Sequence, residues 1–271
     1  MTVQSDKVFG GSVAEVYHSH LVPLLFESYA KDLAHRLASR SFTRVLEVAA
    51  GTGVVTRKLA SALPAGTAIV ATDLNQAMLD VAAAAGTARP VEWRQADAMQ
   101  LPFPDGGFDA VVCQFGAMFF PDKPKAFAEA RRVLRPGGKL VFSVWDRIEE
   151  NEFADSVTAA LETMFPADPP RFLPRTPYGY WQRATIAEDL ARGGFTASPR
   201  ITTVAARSRA AAPRIPAIGF CQGCPLRSEI EARNPGGLEE ATDLATDAIA
   251  QRFGADGVDG KIQAHLITIE A

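Results

Sequence analysis

Arg44 to Ala60 reads RVLEVAAGTGVVTRKLA, and no other stretch restricts the fold as much. Val45, Leu46 and Val48 make a short apolar run, Ala49 to Gly53 holds only small residues, and a helix-compatible segment begins at Val54. The pattern predicts a buried strand, a tight turn, and a helix whose N-terminus opens onto that turn. Gly51 and Gly53 carry no Cβ, so a ligand can approach the backbone closely. Such a turn suits the polar part of a nucleotide-like molecule at the C-terminal edge of a parallel sheet. Thr56 stands where a dinucleotide fingerprint needs its third glycine, and no Gly-Lys-Ser/Thr ending marks a phosphate loop.

The 271 residues are 47% hydrophobic, enough for one large domain with a small appendage. Lys and Arg number 28 against 31 Asp and Glu, a net charge of −3, which leaves no basic excess for phosphates and argues against nucleic-acid partners. The opening MTVQSDKVFGG lacks the basic and apolar regions of a secretory leader. No apolar run approaches the ~18 residues that cross a bilayer. Three cysteines, Cys113, Cys221 and Cys224, are too few and too uneven for a disulfide framework. The expectation is a cytoplasmic chain without a membrane partner.

Val13 to Arg40 has apolar residues at helical spacing and predicts two helices, with a first turn or break at Pro23. Thr67 to Thr72 is a second buried strand ending at Asp73, twenty-two residues after Gly51. That spacing places the acid where it can accept from both hydroxyls of a ribose. The competing role for Asp73 is to cap the helix that follows. Met78, one turn on, either lies under a base or packs in the core. The helix Gln76 to Ala85 stops at Gly86, Pro90 to Gln95 reads as a third strand, and Phe108 to Cys113 as a fourth.

Glu47 followed by Ala-Ala-Gly-Thr-Gly resembles motif I of the class I S-adenosylmethionine-dependent methyltransferases, with Ala49 in place of the first glycine. An alanine there implies a backbone that avoids φ > 0. The strings QADAMQLPFPDGGFDAVVCQFGAMFFPD and ARRVLRPGGKLVF are similar to the type 11, ubiquinone-biosynthesis-like methyltransferases, and the likeness runs from Arg44 to Trp145. It implies an α/β fold: a Rossmann-like, doubly wound sheet of seven strands, mostly parallel with an antiparallel last strand, plus helical N-terminal and C-terminal caps. The expected single domain divides into an N-terminal cap (1–40), a cofactor-binding core (41–204), a helical insertion (205–254) and a closing strand (255–271).

The resemblance also implies S-adenosylmethionine as cofactor. Glu47, Ala49, Ala50, Gly51 and Gly53 would form its turn, and Asp73, Leu74 and Met78 would hold ribose and adenine. Asp97 would meet the exocyclic amine of adenine, with the Ala98 N–H on a ring nitrogen. Gln114 and Phe115 would face the sulfonium end. Tyr17 is the aromatic residue expected to close over the cofactor from the N-terminal helix, or else to pack in the core. Arg135-Pro136-Gly137-Gly138 would end the helix Lys123 to Leu134 and lead into a fifth strand, Lys139 to Val144.

Past Trp145 the pattern predicts a helix over Glu150 to Phe165, then the proline-rich PADPPRFLPRTPYGYW, then a helix over Thr185 to Ala191 closed by Gly193-Gly194. A sixth strand, Phe195 to Val204, precedes the mostly helical insertion, and Lys261 to Glu270 is the closing strand, which the resemblance implies runs antiparallel between strands five and six. Phe119, Phe120, Trp145 and the proline-rich segment are candidates to line an acceptor pocket. Cys221-Gln-Gly-Cys224 has metal or redox spacing without a second pair of ligands. His18 and His20 are either general bases or part of a solvated helix face. No catalytic residue stands out. Methyl transfer to O, N or C of a small molecule is the expectation. The alternatives are a cofactor-binding regulator without transferase activity and, more remotely, a nicotinamide-dependent oxidoreductase.

Overall fold

The apolar run at Val45 becomes β1 (Arg44–Val48), an inner strand of a sheet covered there on both faces. β2 (Ala68–Asp73), β3 (Glu92–Gln95), β4 (Phe108–Gln114), β5 (Leu134–Trp145), β6 (Arg200–Ala210) and β7 (Val258–Glu270) complete it. The seven strands lie in the order β3-β2-β1-β4-β5-β7-β6. β1 is parallel to both β2 and β4, whereas β7 is antiparallel to β5 and to β6. The direction of winding reverses between β1 and β4, and the crevice at such a reversal is where open α/β sheets bind ligands. The computed structural model describes residues 12–271; the leader reading of MTVQSDKVFGG and the start of the expected N-terminal cap lie outside the described residues.

Helices cover both faces. α1 (Ser12–Val16) runs through a π-helical stretch (Tyr17–Phe26) directly into α2 (Glu27–Ala38). The expected break at Pro23 is absent, because the wider π register takes up the residue that has no N–H to give. α3 (Val54–Ala62) follows β1 and packs on α2, and α4 (Gln76–Ala85) joins β2 to β3. α5 (Lys123–Val133) starts at Asp122, whose side chain accepts the Lys125 N–H. α6 (Glu152–Met164), the single turn α7 (Phe172–Arg175) and α8 (Arg183–Arg192) come next. The insertion is α9 (Arg214–Gln222), α10 (Leu226–Arg233) and α11 (Leu238–Phe253), seated on α6 and on the π-helix. A Cβ added at Gly219 would stand 2.9 Å from Leu21 Cδ2, and one at Gly223 3.2 Å from the Tyr17 nitrogen. Bare backbone therefore lets α9 approach the π-helix.

Several strand boundaries differ from expectation: β7 begins at Val258 rather than Lys261 and β3 at Glu92 rather than Pro90, and two further strands shift more. β5 begins at Leu134, because Phe108 already pairs with Leu134 and the Arg-Pro-Gly-Gly turn is absorbed as an irregularity inside the strand. β6 begins at Arg200 and continues to Ala210, paired residue by residue with β7 as far as Ala210 and Val258. Phe195, expected in that strand, is instead buried just beyond α8, its N–H on the Leu190 carbonyl. The boundary expected at residue 205 thus falls inside β6.

Candidate functional site

The turn after β1 is held in a left-handed conformation at Ala49 (φ 55°), Gly51 (φ 55°) and Gly53 (φ 76°). Ala49 therefore does adopt the positive φ it was expected to avoid. That conformation costs an alanine about 1–2 kcal/mol. Room for its methyl comes from Gly116 across the crevice, where an added Cβ would stand 2.4 Å from Ala49 Cβ. Phe115, beside Gly116, is also left-handed at φ 54°. Two strained residues thus face each other at the ends of β1 and β4, a placement typical of ligand sites.

Asp73 ties this turn to the end of β2. Its Oδ2 accepts the Gly51 N–H at 2.9 Å and its Oδ1 the Asn75 N–H at 2.8 Å. Burial pushes its carboxyl up, and backbone hydrogen bonds from Asn75 and Gly51 oppose that shift. The cap position of α4 itself is held by Asn75, without a side-chain bond. Just past β3, Asp97 Oδ1 accepts the Met99 N–H at 2.9 Å, and the residue lines the cavity.

These groups edge a single crevice of about 1160 Å³, its open mouth included. Of the residues expected at a cofactor, Tyr17, Ala49, Gly51, Asp73, Leu74 and Met78 line it, as do Asp97, Ala98, Gln114 and Phe115. Glu47, Ala50 and Gly53 do not. Ala50 gives its N–H to the Thr72 carbonyl behind the turn. Gly53 serves packing, because a Cβ there would stand 2.9 Å from the Trp93 ring. Glu47 is buried beneath the turn, where it accepts the Thr56 hydroxyl at 2.6 Å. That bond occupies the position of the missing third glycine.

Burial raises the Glu47 carboxyl to about 8, against the lowering effects of the Thr56 hydrogen bond and Arg57. A raised acid stabilises the fold most fully below its unfolded value near 4.5, and that contribution is lost as the pH climbs through about 8. Glu47→Gln is therefore expected to raise the melting temperature more at pH 9 than at pH 5. Thermal melts across that range check it; a flat difference between variant and wild type would contradict it.

Behind the turn the crevice is aromatic. Trp145 stacks on Phe115 at 3.8 Å between ring centroids and 7° between planes. Phe26 lies 5.9 Å from Trp145 and stacks on Tyr17 at 5.2 Å; Tyr178 lies 5.9 Å from Trp145 on the other side. Burial, followed by the charge of Asp73, pushes the Tyr17 phenol up, so it stays protonated. Phe119, Phe120 and Trp145 reach the wall as expected, together with Phe172 and Tyr178 of the proline-rich segment. Sequence reasoning did not place Phe26 or Cys224 in the wall, which both line. Phe26 had only the apolar spacing of its helix as a signal.

The histidines lie elsewhere. His18 Nδ1 sits 3.0 Å from Thr52 Oγ1, with its basicity lowered by burial and by Arg57, while His20 contacts Ser19; neither lines the crevice. Cys224 Sγ donates to the Phe220 carbonyl at 3.0 Å, and Cys221 Sγ lies 3.9 Å from the Ala241 carbonyl. Burial pushes both thiols up, Cys221 to about 12, as for packed, unreactive cysteines.

Comparison with known proteins fits this geometry. Residues 46–142 match the family described as a methyltransferase domain. A demethylmenaquinone methyltransferase from Thermus thermophilus is 45% identical over 114 residues, covering 41% of this chain and 50% of that protein. A ubiquinone/menaquinone biosynthesis C-methyltransferase from Ectopseudomonas mendocina is 40% identical over 144 residues, 48% of this chain and 56% of that protein. The chain thus spans about half the length of these curated relatives. Among solved structures, the YcgJ protein of Bacillus subtilis aligns with a TM-score of 0.57 at 18% identity, over 90% of this chain and 98% of that one.

Proposed function

We propose that this chain, which carries a class I S-adenosylmethionine-dependent methyltransferase domain of the ubiquinone-biosynthesis-like type over residues 46–142, methylates a small molecule with apolar surface. One observation carries the reading. A single crevice at the strand-order reversal joins a nucleoside-type half, with Gly51, Asp73 and Asp97, to an aromatic half built on Phe115 and Trp145. The first half fits S-adenosylmethionine: Gly51, at φ 55°, presents bare backbone with the Tyr17 hydroxyl 3.7 Å from where a Cβ would stand, and the buried Asp73 carboxylate has lone pairs left for two ribose hydroxyls. Met78 and Leu74 offer apolar surface to a base, and Asp97 an acceptor for its amine.

The bound cofactor supplies a methyl already activated on a sulfonium. The chain's own contribution is to hold the acceptor's lone pair in line with that methyl and to keep water out. Phe26, Phe115 and Trp145 pin a flat molecule by stacking, and the proline-rich segment with α9 covers it. The family match leaves the nicotinamide and regulator readings without support. Among the described residues no helix is long and apolar enough to cross a membrane.

The test is S-adenosylhomocysteine release from the purified chain with a panel of phenols, amines and activated rings. Release that depends on an acceptor is the expected result. Tight cofactor binding with no acceptor-dependent turnover across the panel would count against transfer.

A further inference from the structure

A second cavity, of about 1240 Å³ with its open mouth included, shares no lining residue with the crevice. It lies between the end of α2 and the flank of the sheet made by β5, β7 and β6. Four cations stand around it: Arg36 in the last turn of α2, Arg40 just past that helix, Lys139 of β5, and Arg200, which opens β6. Glu270 is the one acid of the lining. Four cations against one acid make this groove strongly basic in a chain whose net charge is −3.

The fold accounts for only part of that charge. Cations near the last turn of a helix answer its terminal carbonyls, which covers Arg36 and Arg40 but not Lys139 and Arg200 of the sheet. Arg36 Nε meets Asp32 at 2.7 Å and Lys139 Nζ meets Glu270 at 3.3 Å, surface pairs of the kind that hold little energy. Arg40 and Arg200 are exposed and form no ion pair among the described residues.

The rest of the lining restricts which anion fits. Leu37, Val141, Leu266 and Ile269 give the groove an apolar floor. No aromatic side chain lines it, so nucleic-acid bases have nothing to stack on. A flat membrane surface would meet the rim and miss the floor. An extended peptide suits both, with apolar side chains on the floor and carboxylates on flexible stems at the rim. β6 is the last strand of the sheet and pairs only with β7, which leaves its flank open to such a segment.

We propose that this groove docks an acidic, extended segment of a partner protein, held by Arg40 and Arg200 with Arg36 and Lys139 in support. The proposal does not rest on the methyltransferase reading. Because the groove and the crevice share no residue, a docked partner leaves the crevice open.

Fluorescence anisotropy on the full chain tests this, with a fluorescein-labelled peptide Glu-Glu-Val-Glu-Glu-Val-Glu-Glu and its counterpart carrying Lys for Glu. Wild type is expected to bind the acidic peptide at least roughly tenfold more tightly, and to lose most of that binding as salt rises from about 50 to about 500 mM. Arg40→Glu combined with Arg200→Glu should weaken it by at least about tenfold, whereas Lys at both positions should retain it within about threefold. Arg207→Gln with Arg209→Gln, on the same strand but outside the groove, should leave it unchanged. No binding by wild type, equal binding of the two peptides, or binding that survives the charge reversal overturns the proposal. Tighter binding of an eight-residue oligothymidylate or of phosphatidylglycerol vesicles, lost in the same reversal variant, also overturns it by assigning the groove to nucleic acid or to a membrane. Should the reversal variant not fold, Ser at both positions replaces it, with a loss of about fivefold expected and undiminished binding counting against docking. Affinity for S-adenosylhomocysteine, measured alongside, reports on the crevice alone, so its absence would remove the methyltransferase reading and leave this one standing.

Discussion

Asp73→Ala is expected to weaken S-adenosylmethionine binding by about 1.5–3 kcal/mol, roughly ten- to 150-fold. The proposed function gives the carboxylate two jobs at one buried position. The carboxylate fixes the Gly51 and Asn75 N–H groups and so sets the shape of both turns, and, as a residue of the crevice lining, it is proposed to give its remaining lone pairs to ribose hydroxyls. Alanine removes the charge-assisted bonds and leaves two backbone donors without their acceptor. The ligand-free variant should therefore also melt lower. Asp73→Asn separates the two jobs, since its single carbonyl oxygen can retain one turn contact while its amide presents donors to a diol that needs acceptors. Little recovery of affinity is expected from it. Titration calorimetry, with circular dichroism to confirm folding, provides the measurement, and an unchanged affinity in folded Asp73→Ala would remove Asp73 from the site.

The second large effect concerns the roof. Residues 205–254 were expected to form the helical insertion, but Ala205 to Ala210 belong to β6, so the insertion is shorter. Its ends meet: Ala210 pairs with Val258, and the Gly257 N–H donates to the Ala211 carbonyl at 3.1 Å. Replacing 212–256 by a short Gly/Ser turn would turn β6 and β7 into a plain hairpin. Gly51, Asp73 and Asp97 are untouched, so S-adenosylmethionine affinity should hold within about tenfold, as for sites that share no partner. Methyl transfer should disappear, because Phe220 and Cys224 leave the wall and water reaches the reacting centre. The excision also uncovers α6, where Phe153 meets Phe253 edge-on at 5.0 Å. Phe220→Ala is the smaller lesion in case the shortened chain does not fold, and it should cut turnover with cofactor affinity retained. A shortened, folded chain that transfers methyl at the original rate would place the roof elsewhere.

The central strands and the turn between β1 and α3 were legible because strands buried on both faces appear as unbroken apolar runs, and glycine positions mark the turn. Asp73 was legible from its spacing to Gly51. Ala49 was misread for a nonlocal reason: the space its methyl needs is supplied by Gly116, on another strand. β6 was misplaced because an edge strand with one neighbour alternates weakly in burial, and Phe195 carries apolar character outside the strand. The aromatic wall was only partly visible. Phe26 lies on the π-helix and Phe172 and Tyr178 on the proline-rich segment, and only the fold brings them around Trp145 and Phe119. The π register had no signal beyond Pro23.

The contact between the π-helix and α9 has a consequence for the order in which the molecule is made. Leu21 and Tyr17 leave the ribosome early, yet the backbone at Gly219 and Gly223 that receives them is translated some two hundred residues later. At ordinary elongation rates of about 5–20 residues per second, the π-helix waits on the order of ten seconds or more for that partner. Meanwhile β1 to β5 and their helices are complete, and the Gly51–Asp73 linkage that shapes the nucleoside end can form. On the proposed function, Gly51, Asp73 and Asp97 at the nucleoside end are thus made before the segment that covers the acceptor. Leu21, Leu24 and Leu25, all buried in the finished protein, are the surface the nascent chain must shelter in the interval.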